Sequence, residues 1–584
     1  MTRITRHTLF SLFFATFLST LSTVSVMAQS NLYEPISTPK HEVRAVWLAT
    51  IKSLDWPRQK ARTAAQVEAQ KRELTNILDQ LQRAHINTVL LQTRIRGSVI
   101  YPSKYEPWDE TITGVPCQAP AYDPLAFAID ECHKRGMELH AWVVSIPLGN
   151  TDKQKHFGSQ SITRRHPELC KQVGGEWFMI PGEPKTADYI ATICREIAEN
   201  YDVDGISLDY IRYPESLYKF SDKHLYKSGS GLSFSDWKRA NIDRIVRAVH
   251  DQVKGVKPWV KLSSSPIGKY DDLRRQSSGG WNCYTAVNQD PKLWLEKGWQ
   301  DLLFPMMYFQ GKNFYPFLCD WAEGSHGHPV VAGLGIYFLD PSEGRWTLNE
   351  VRQEMHATRF VGNGGICFYR SDFFTRNVKG LYNNACQEFF PRPALQPRMT
   401  WASDLQAPST PARLRLRGGQ LAWDESKDNS TSVSYTVYGW YGEPEEGCIE
   451  NAANIITTAE KGRQYDVAAH VARFNCFAVT ASDRFGNESR PAILHLGEVQ
   501  RSPLFPDHPR MLHPDKDGFL HVDATKNNKG LLLRDAQGKV VRQSQRMSIS
   551  AQGLQPGWYR LEIIRKKGTG IAGDLLVPTS PPCR

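Results

Sequence analysis

The sequence predicts an α/β fold, a (β/α)8 TIM-type barrel followed by C-terminal all-β sandwich modules. Three observations carry the prediction. Eight short apolar runs alternate with stretches of helical periodicity between Val43 and Tyr369, the order that builds a parallel barrel. No glycine-rich phosphate loop follows the first run, which sets aside a doubly wound open sheet. Beyond about Pro408 the pattern changes to short alternating strands with turns at close spacing, the mark of a β-sandwich.

Val43 to Ala49 reads as the first strand, ending at Asp55-Trp-Pro57, and Ala64 to Ala84 as a helix with Val67, Leu74, Ile77, Leu78 and Leu81 on one face. Ile86 to Gln92 is the second strand, with Arg94 and Arg96 just past its end. A long loop holds Tyr101, Trp108 and Gly114 before a short helix, Pro124 to Arg135, closed by Gly136. Met137 to Val144 is the third strand. Another long loop runs to about Pro184, and Thr186 to Tyr201 is helical. The fourth strand lies in Asp204-Gly-Ile-Ser-Leu-Asp-Tyr-Ile-Arg-Tyr-Pro214, where two aspartates bracket an apolar run. Phe234 to Val253 is a helix, Trp259 to Ser264 strand five, and Leu293 to Gly298 the end of a helix. Asp301 to Tyr308 and Val330 to Phe338 are strands six and seven, Leu348 to Phe360 a helix, and Gly365 to Tyr369 strand eight. Leu421-Ala-Trp423, Val433 to Tyr438 and Phe474 to Ala481 are strands of the sandwich, and Gly530 to Pro578 alternates again as a small module.

A length of 584 residues exceeds one ordinary domain. The expected division is a signal peptide at 1–28, the barrel at 31–395, the sandwich at 405–500 and the small β module at 505–584. Arg3 and Arg6 precede an apolar stretch from Leu9 to Met27, and Val26 and Ala28 form a small-residue cleavage site, so the chain is expected to be exported to the periplasm, the outer-membrane surface or the medium. No later segment is apolar for long enough to span a bilayer. A net charge of +10 without a long Lys/Arg block excludes a nucleic-acid signature. The 16 Trp and 11% aromatic content suit a surface that stacks on sugar faces. Eleven cysteines leave one unpaired if all remain available. Cys448 and Cys476 could bridge within the sandwich, and no Cys-x-x-Cys pair suggests a zinc or redox site. No cofactor or metal is expected.

Barrel enzymes build their sites at the C-terminal ends of the strands. That rim collects Asp55, Trp56, Arg94, Arg96, His140, Trp142, Asp209, Arg212, Tyr213, Ser265, Tyr308, Tyr337, Tyr369 and Arg370, with Asp271, Asp272, Asp340 and Asp372 in the following loops. Taken singly, each has a bland explanation such as packing or an internal ion pair. Taken together they give carboxylate, guanidinium and aromatic faces at one end, which is what sugar chemistry requires. Glycoside hydrolysis uses two carboxyl groups. Asp209 is the candidate for one of them, because it ends its strand, whereas Asp204 starts it on the stability face. For the second, Asp55, Asp340 and Asp372 compete, and His140 could instead act as the acid or orient a nucleophile. The other rim residues, Arg212 and Tyr213 included, are expected to contact substrate.

Three blocks carry a family resemblance: Glu42-Val-Arg-Ala-Val-Trp-Leu-Ala-Thr-Ile-Lys-Ser-Leu-Asp-Trp-Pro57, His133-Lys-Arg-Gly-Met-Glu-Leu-His-Ala-Trp142 and the Asp204 to Pro214 stretch, supported by Gln92-Thr-Arg94, Ser265-Pro-Ile-Gly268 and Pro305-Met-Met-Tyr308. Over about residues 40–390 the chain resembles the glycosyl hydrolase-like 10 family of exported bacterial (β/α)8 proteins. The resemblance implies a glycosidase acting on a polysaccharide, with peptidoglycan-type glycan strands among its substrates, and Asp209 as the matching acid of strand four. Many relatives follow the third-strand Trp with Asn-Pro, whereas Val143-Val-Ser-Ile-Pro147 stands here. A chitinase-type Asp-Gly-Ile-Asp-Ile-Asp-Trp-Glu strand would place its proton donor at Ile211 and its middle Asp at Ser207, so that mechanism does not transfer. The region after Pro408, with Asp483-Arg-Phe-Gly-Asn-Glu-Ser489, is similar to a fibronectin type III domain, and Leu554-Gln-Pro-Gly-Trp-Tyr559 resembles C-terminal sorting domains of type IX secretion. The competing reading is a non-catalytic glycan-binding barrel of the cell envelope.

Overall fold

The computed structural model describes residues 38–577 except 230, 275, 277–279, 430, 472, 497–511, 513, 516, 523–527, 556 and 567. The segment 1–28, expected to be a signal peptide, lies outside the described residues.

Eight parallel strands form one sheet: β1 (Val43–Leu48), β2 (Thr88–Arg94), β3 (Glu138–Val144), β4 (Gly205–Asp209), β5 (Lys261–Ser264), β6 (Leu302–Leu303), β7 (Ala332–Leu334) and β8 (Gly365–Phe368). Their order is β7-β8-β1-β2-β3-β4-β5-β6, and parallel bridges Leu303↔Val330 and Met306↔Gly333 link β6 to β7 across the remaining gap. Successive side chains on a strand point to opposite faces, and β1 shows the consequence. Val43, Ala45 and Trp47 enter the inner cluster with Leu90, Trp142, Phe304 and Cys367. Val46 and Leu48 face outward into the larger cluster under the helices. The barrel is therefore predicted correctly, with its interior filled by aromatic and small residues.

The covering helices are α1 (Ala64–Arg83), α2 (Pro124–His133), α3 (Pro184–Asn200), α4 (Phe234–Lys254), α5 (Pro291–Glu296), α6 (Tyr315–Glu323), α7 (Leu348–Val361) and α8 (Leu381–Asn384). Local signals place their ends. A Thr63/Gln66 capping box opens α1, and the Asp123 side chain accepts from the amides of Leu125 and Ala126 at the start of α2, where Pro124 fits the first turn. Gly362 closes α7 in the left-handed region.

Two strands are shorter than their apolar runs. Pro305 lacks the N–H that would continue the ladder after β6, and β7 gives way to a 3-10 turn at Ile336–Leu339. Tyr308 and Tyr337 consequently sit in the turns above the barrel rather than on strands. β2 runs on to Arg94 with a register shift between Gln92 and Arg94. Part of the long loop after β3 folds into a small antiparallel sheet, Pro147–Asn150, Glu176–Met179 and Cys170–Val173 in that order.

Beyond the barrel, a three-stranded sheet (Ala412–Arg417, Gln420–Asp424, Gln464–Asp466) and a four-stranded one (Ile455–Glu460, Ser434–Trp440, Cys476–Ser482, Ala492–His495) share one apolar core around Leu421, Trp423, Tyr435, Val437, Phe477 and Val479. A last four-stranded sheet spans Asn528–Asp535, Val540–Ser544, Gly557–Arg565 and Thr569–Val577, with the pair Phe519–His521 and Ser548–Ser550 beside it. Cys448 and Cys476 are free thiols and form no bridge within the sandwich. No described helix is long and apolar enough to cross a membrane.

The sandwich docks on the N-terminal end of the barrel. Arg484, on the turn after Cys476–Ser482, pairs with Asp202 at 2.7 Å and with Asp204 at 2.9 Å. His133 at the end of α2 reaches Asp204 at 2.8 Å. Asp204 is thus committed to the joint between the two parts, far from the rim where Asp209 stands.

Candidate functional site at the barrel rim

Asp209 is the last residue of β4 and pairs in register with Val144. Gly205, Ser207 and Asp209 alternate toward the interior. Gly205 is required there, because a Cβ would lie 2.6 Å from the His140 ring. At the strand end Tyr210 adopts φ 50°, a left-handed conformation costly for a non-glycine residue. The turn brings the Tyr210 amide to Asp209 Oδ1 at 2.7 Å, and Trp142 Nε1 donates to Oδ2 at 3.0 Å. Both carboxyl oxygens are therefore held by donors on a residue only 4% exposed. Burial raises the Asp209 pKa above the ordinary carboxylate value, opposed by Arg212, the Tyr210 amide, Trp142 and Arg96.

An aromatic group adjoins the carboxyl. Tyr308 and Tyr369 stack with ring centroids 5.3 Å apart. Tyr337 meets each of them edge-on at 5.8 Å, and Trp47 meets Tyr369 at 5.8 Å. Burial, with Asp209 next, pushes the Tyr369 hydroxyl upward, and burial lifts Tyr337 to about 12. These phenols stay neutral at physiological pH and act as donors and flat apolar faces.

Tyr210, the residue after Asp209, lines a cleft of ≈ 430 Å³ together with Arg96, Phe178, Glu215, Tyr218 and Trp281. Trp281 is 43% exposed. The Arg212 guanidinium lies 4.2 Å from the Tyr210 ring centroid and 5.4 Å from that of Trp281. It donates through Nη2 to Glu215 Oε1 at 3.1 Å, while its Nε and Nη1 are buried without hydrogen-bond partners among the described residues. Arg96, half-buried, makes no ion pair among the described residues and acts on Asp209 through space.

Asp209, Arg96, Trp142, Arg212, Tyr308, Tyr337 and Tyr369 thus gather at one end of the barrel. Other residues expected to contact substrate belong to the framework instead. Asp55 is buried, accepts from the Ala49 amide at 2.7 Å and the Asp372 amide at 3.0 Å, and pairs with Arg370, so these two tie the end of β1 to the end of β8. Trp56 is 0% exposed and donates to the Gln70 carbonyl under α1. Arg94 forms a two-pronged ion pair with Glu106 and donates to the Ser145 carbonyl. His140 lies deeper in the barrel beside Glu138, at 3.1 Å. The Tyr213 hydroxyl donates to Asp222 at 2.8 Å and accepts from Asn241 at 3.0 Å in the outer core. Asp340 pairs with Arg376, and Asp372 with Arg58 and Arg376.

Strand ends alone do not single out Trp47, Tyr210, Glu215 and Trp281 as site residues. Alternation along β1 would have found Trp47, and Glu215 stands one residue beyond the Asp204 to Pro214 stretch. Trp281 carries no such signal, since only the fold of the loop after β5 brings it over Arg212. Among the described residues, no three His, Cys, Asp or Glu side chains converge as a metal would need.

The profile of the glycosyl hydrolase-like 10 family matches residues 42–323. "Glycosyl hydrolase YngK" of Bacillus subtilis (strain 168) is 30% identical over 478 residues, 77% of this chain and 92% of that protein. "Glycosyl hydrolase DigH" of Escherichia coli (strain K12) is 32% identical over 368 residues, 57% of this chain and 84% of that protein. Among solved structures, the glycoside hydrolase domain of PgaB (BpsB) from Bordetella bronchiseptica has a TM-score of 0.43 and 14% identity over 59% of this chain and 98% of that one.

Proposed function

The chain belongs to the glycosyl hydrolase-like 10 family, and from that premise and the rim geometry we propose that it is an exported glycoside hydrolase cleaving a polysaccharide. The observation that carries the reading is Asp209, buried at the barrel mouth, fixed at both oxygens and flanked by arginines and tyrosines. Burial raises the Asp209 pKa, which is the direction that suits a carboxyl acting as proton donor to a glycosidic oxygen. The tyrosine faces and the exposed Trp281 offer surfaces that suit pyranose rings.

Peptidoglycan-type glycan strands are the substrate to be tested first. They fit a chain with a secretory leader at 1–28 and a cleft that combines aromatic and charged side chains. Two sheets of three and four strands sharing one core support a fibronectin type III-like role for 405–500 as an accessory module. The segment 505–584 would be a further module, for sorting, that holds or routes the enzyme in the envelope.

The rival, a glycan-binding barrel without turnover, draws on the ion pairs that occupy Asp55, Asp340 and Asp372. Release of new reducing ends from peptide-free glycan strands separates the two, since binding without release favours the rival. Replacing Asp209 by Asn is expected to lower kcat by about 10²–10⁴-fold, the range general acid catalysis supplies. Full-rate hydrolysis by that variant would remove Asp209 from the chemistry.

A further inference from the structure

A single buried carboxyl leaves a hydrolytic site half built, because a second group must handle the attacking water. The rim aspartates that the sequence offers for this role are engaged elsewhere: Asp55 by Arg370, Asp340 by Arg376, and Asp372 by Arg58 and Arg376. Glu215 is placed differently. It follows Pro214 at the start of the turn Ser216–Tyr218, on the loop that leaves Asp209, and it lines the cleft beside Arg96, Tyr210 and Trp281. Its side chain is 19% exposed, open enough to meet water yet partly enclosed.

One Glu215 oxygen is held by Arg212 Nη2 at 3.1 Å, and the other carries no hydrogen bond among the described residues. Arg212 links the two acids, since it binds Glu215 directly and acts through space on Asp209. Tyr210 neighbours both, following Asp209 in the chain and lining the cleft with Glu215; its hydroxyl is pushed up by burial and then by Asp209, with Glu215 a smaller contributor. The two carboxyl groups thus have contrasting surroundings, one buried and one facing the cleft, which is how paired acids divide their roles.

We propose that Glu215 is the second catalytic carboxyl group and acts as the general base, an inference that rests on the glycosidase reading of Asp209. In the reaction, the Glu215 carboxylate takes a proton from a water molecule in the cleft. The water oxygen forms a bond to the anomeric carbon as the glycosidic C–O bond breaks, and the departing oxygen takes the proton of Asp209. Proton return from Glu215 through solvent to Asp209 restores both groups, so the net change is addition of one water across the bond.

The test compares Glu215→Gln, Glu176→Gln and Asp209→Asn in the full chain acting on peptide-free peptidoglycan glycan strands, with reducing-end release and pH profiles as readouts. Glu176 also lines the cleft. Glu215→Gln is expected to lose about 10²–10⁴-fold in kcat with little change in KM. Added azide should restore turnover and yield a glycosyl azide by mass spectrometry, a rescue that a misfolded variant would not show. Glu215→Gln within about threefold of wild type while Asp209→Asn is inactive would overturn the assignment and leave the glycosidase reading standing. A loss confined to Glu176→Gln, or a change in KM alone, would overturn it too. Wild-type protein that binds the strands and releases no reducing ends would overturn both.

Discussion

Trp142 directs its single polar atom to Asp209 Oδ2 at 3.0 Å, and that contact sets much of what the carboxyl can do. An N–H donor favours the ionised form and so lowers the pKa that burial has raised. Trp142→Phe keeps the ring and removes the donor. The Asp209 pKa should therefore climb further, and the alkaline limb of the kcat/KM profile should move to higher pH, because the proton-bearing form persists longer. A limb that moves to lower pH, or does not move, would assign that limb to another group. At this scale the sequence was partly legible. In sequence Asp209 stands out as an acid where an apolar strand ends, a place that a loop-capping aspartate also takes, and the fold sets it at the barrel mouth. Arg94 and Asp55 look equally functional in sequence, yet each has an internal partner, Glu106 from the following loop and Arg370 from the far end of the barrel chain.

At the scale of the element, β4 owes its position to the absence of a side chain at its first residue. A Cβ on Gly205 would lie 2.6–2.7 Å from atoms of the His140 ring, which is held between Glu138 and Phe304 in the barrel interior. Gly205→Ala must therefore displace β3 or β4. Overpacking of this kind costs about 1–3 kcal/mol, to be read as a lower urea midpoint at unchanged m-value. Because Asp209 ends the same strand, kcat should fall as well, and wild-type stability in that variant would show that the contact relaxes freely. Element positions were legible to within a few residues, from periodicity and caps such as Thr63 with Gln66. The ends of β6 and β7 were not, since Pro305 and the turn at Ile336–Leu339 cut short runs that read as continuous strands.

At the scale of the whole molecule, the joint between barrel and sandwich is a charged cluster of Asp204, Asp202, Arg484 and His133. Burial opposes ionisation of Asp204, yet Arg484 and His133 hold its carboxyl well below the ordinary value. Burial likewise opposes protonation of His133, yet Asp204 raises its pKa above 6.5. The depressed carboxyl contributes stability above its unfolded value near 3.8, lost as pH falls through the folded value. The raised imidazole contributes below 6.5, and that share is lost as pH rises through its folded value. The joint should be strongest between about pH 4 and pH 6.5. Thermal unfolding at pH 5 and pH 8 should show a loss at the higher pH that His133→Gln abolishes. Arg484→Ala leaves Asp204 enclosed without its main counter-charge and should destabilise by about 3–5 kcal/mol, measured by urea denaturation. A change below about 1 kcal/mol, the scale of an exposed pair, would show that the cluster is solvated.

The sequence alone determined the barrel, the all-β character of the C-terminal region and the strand end that bears the carboxyl. Those features are written in local terms: a period of two or 3.6, a cap, a proline, an acid where apolar residues stop. Tertiary structure decided which polar residues are available. Whether an arginine meets a glutamate twelve positions away or stays open to a cleft depends on how strands register and loops fold back, and no local pattern encodes that distance. Arg94 and Arg96 differ by two residues; one is locked to Glu106 and the other makes no ion pair among the described residues. Likewise, only the folding of the β4 and β5 loops brings Trp281 over Arg212 and sets Glu215 beside it.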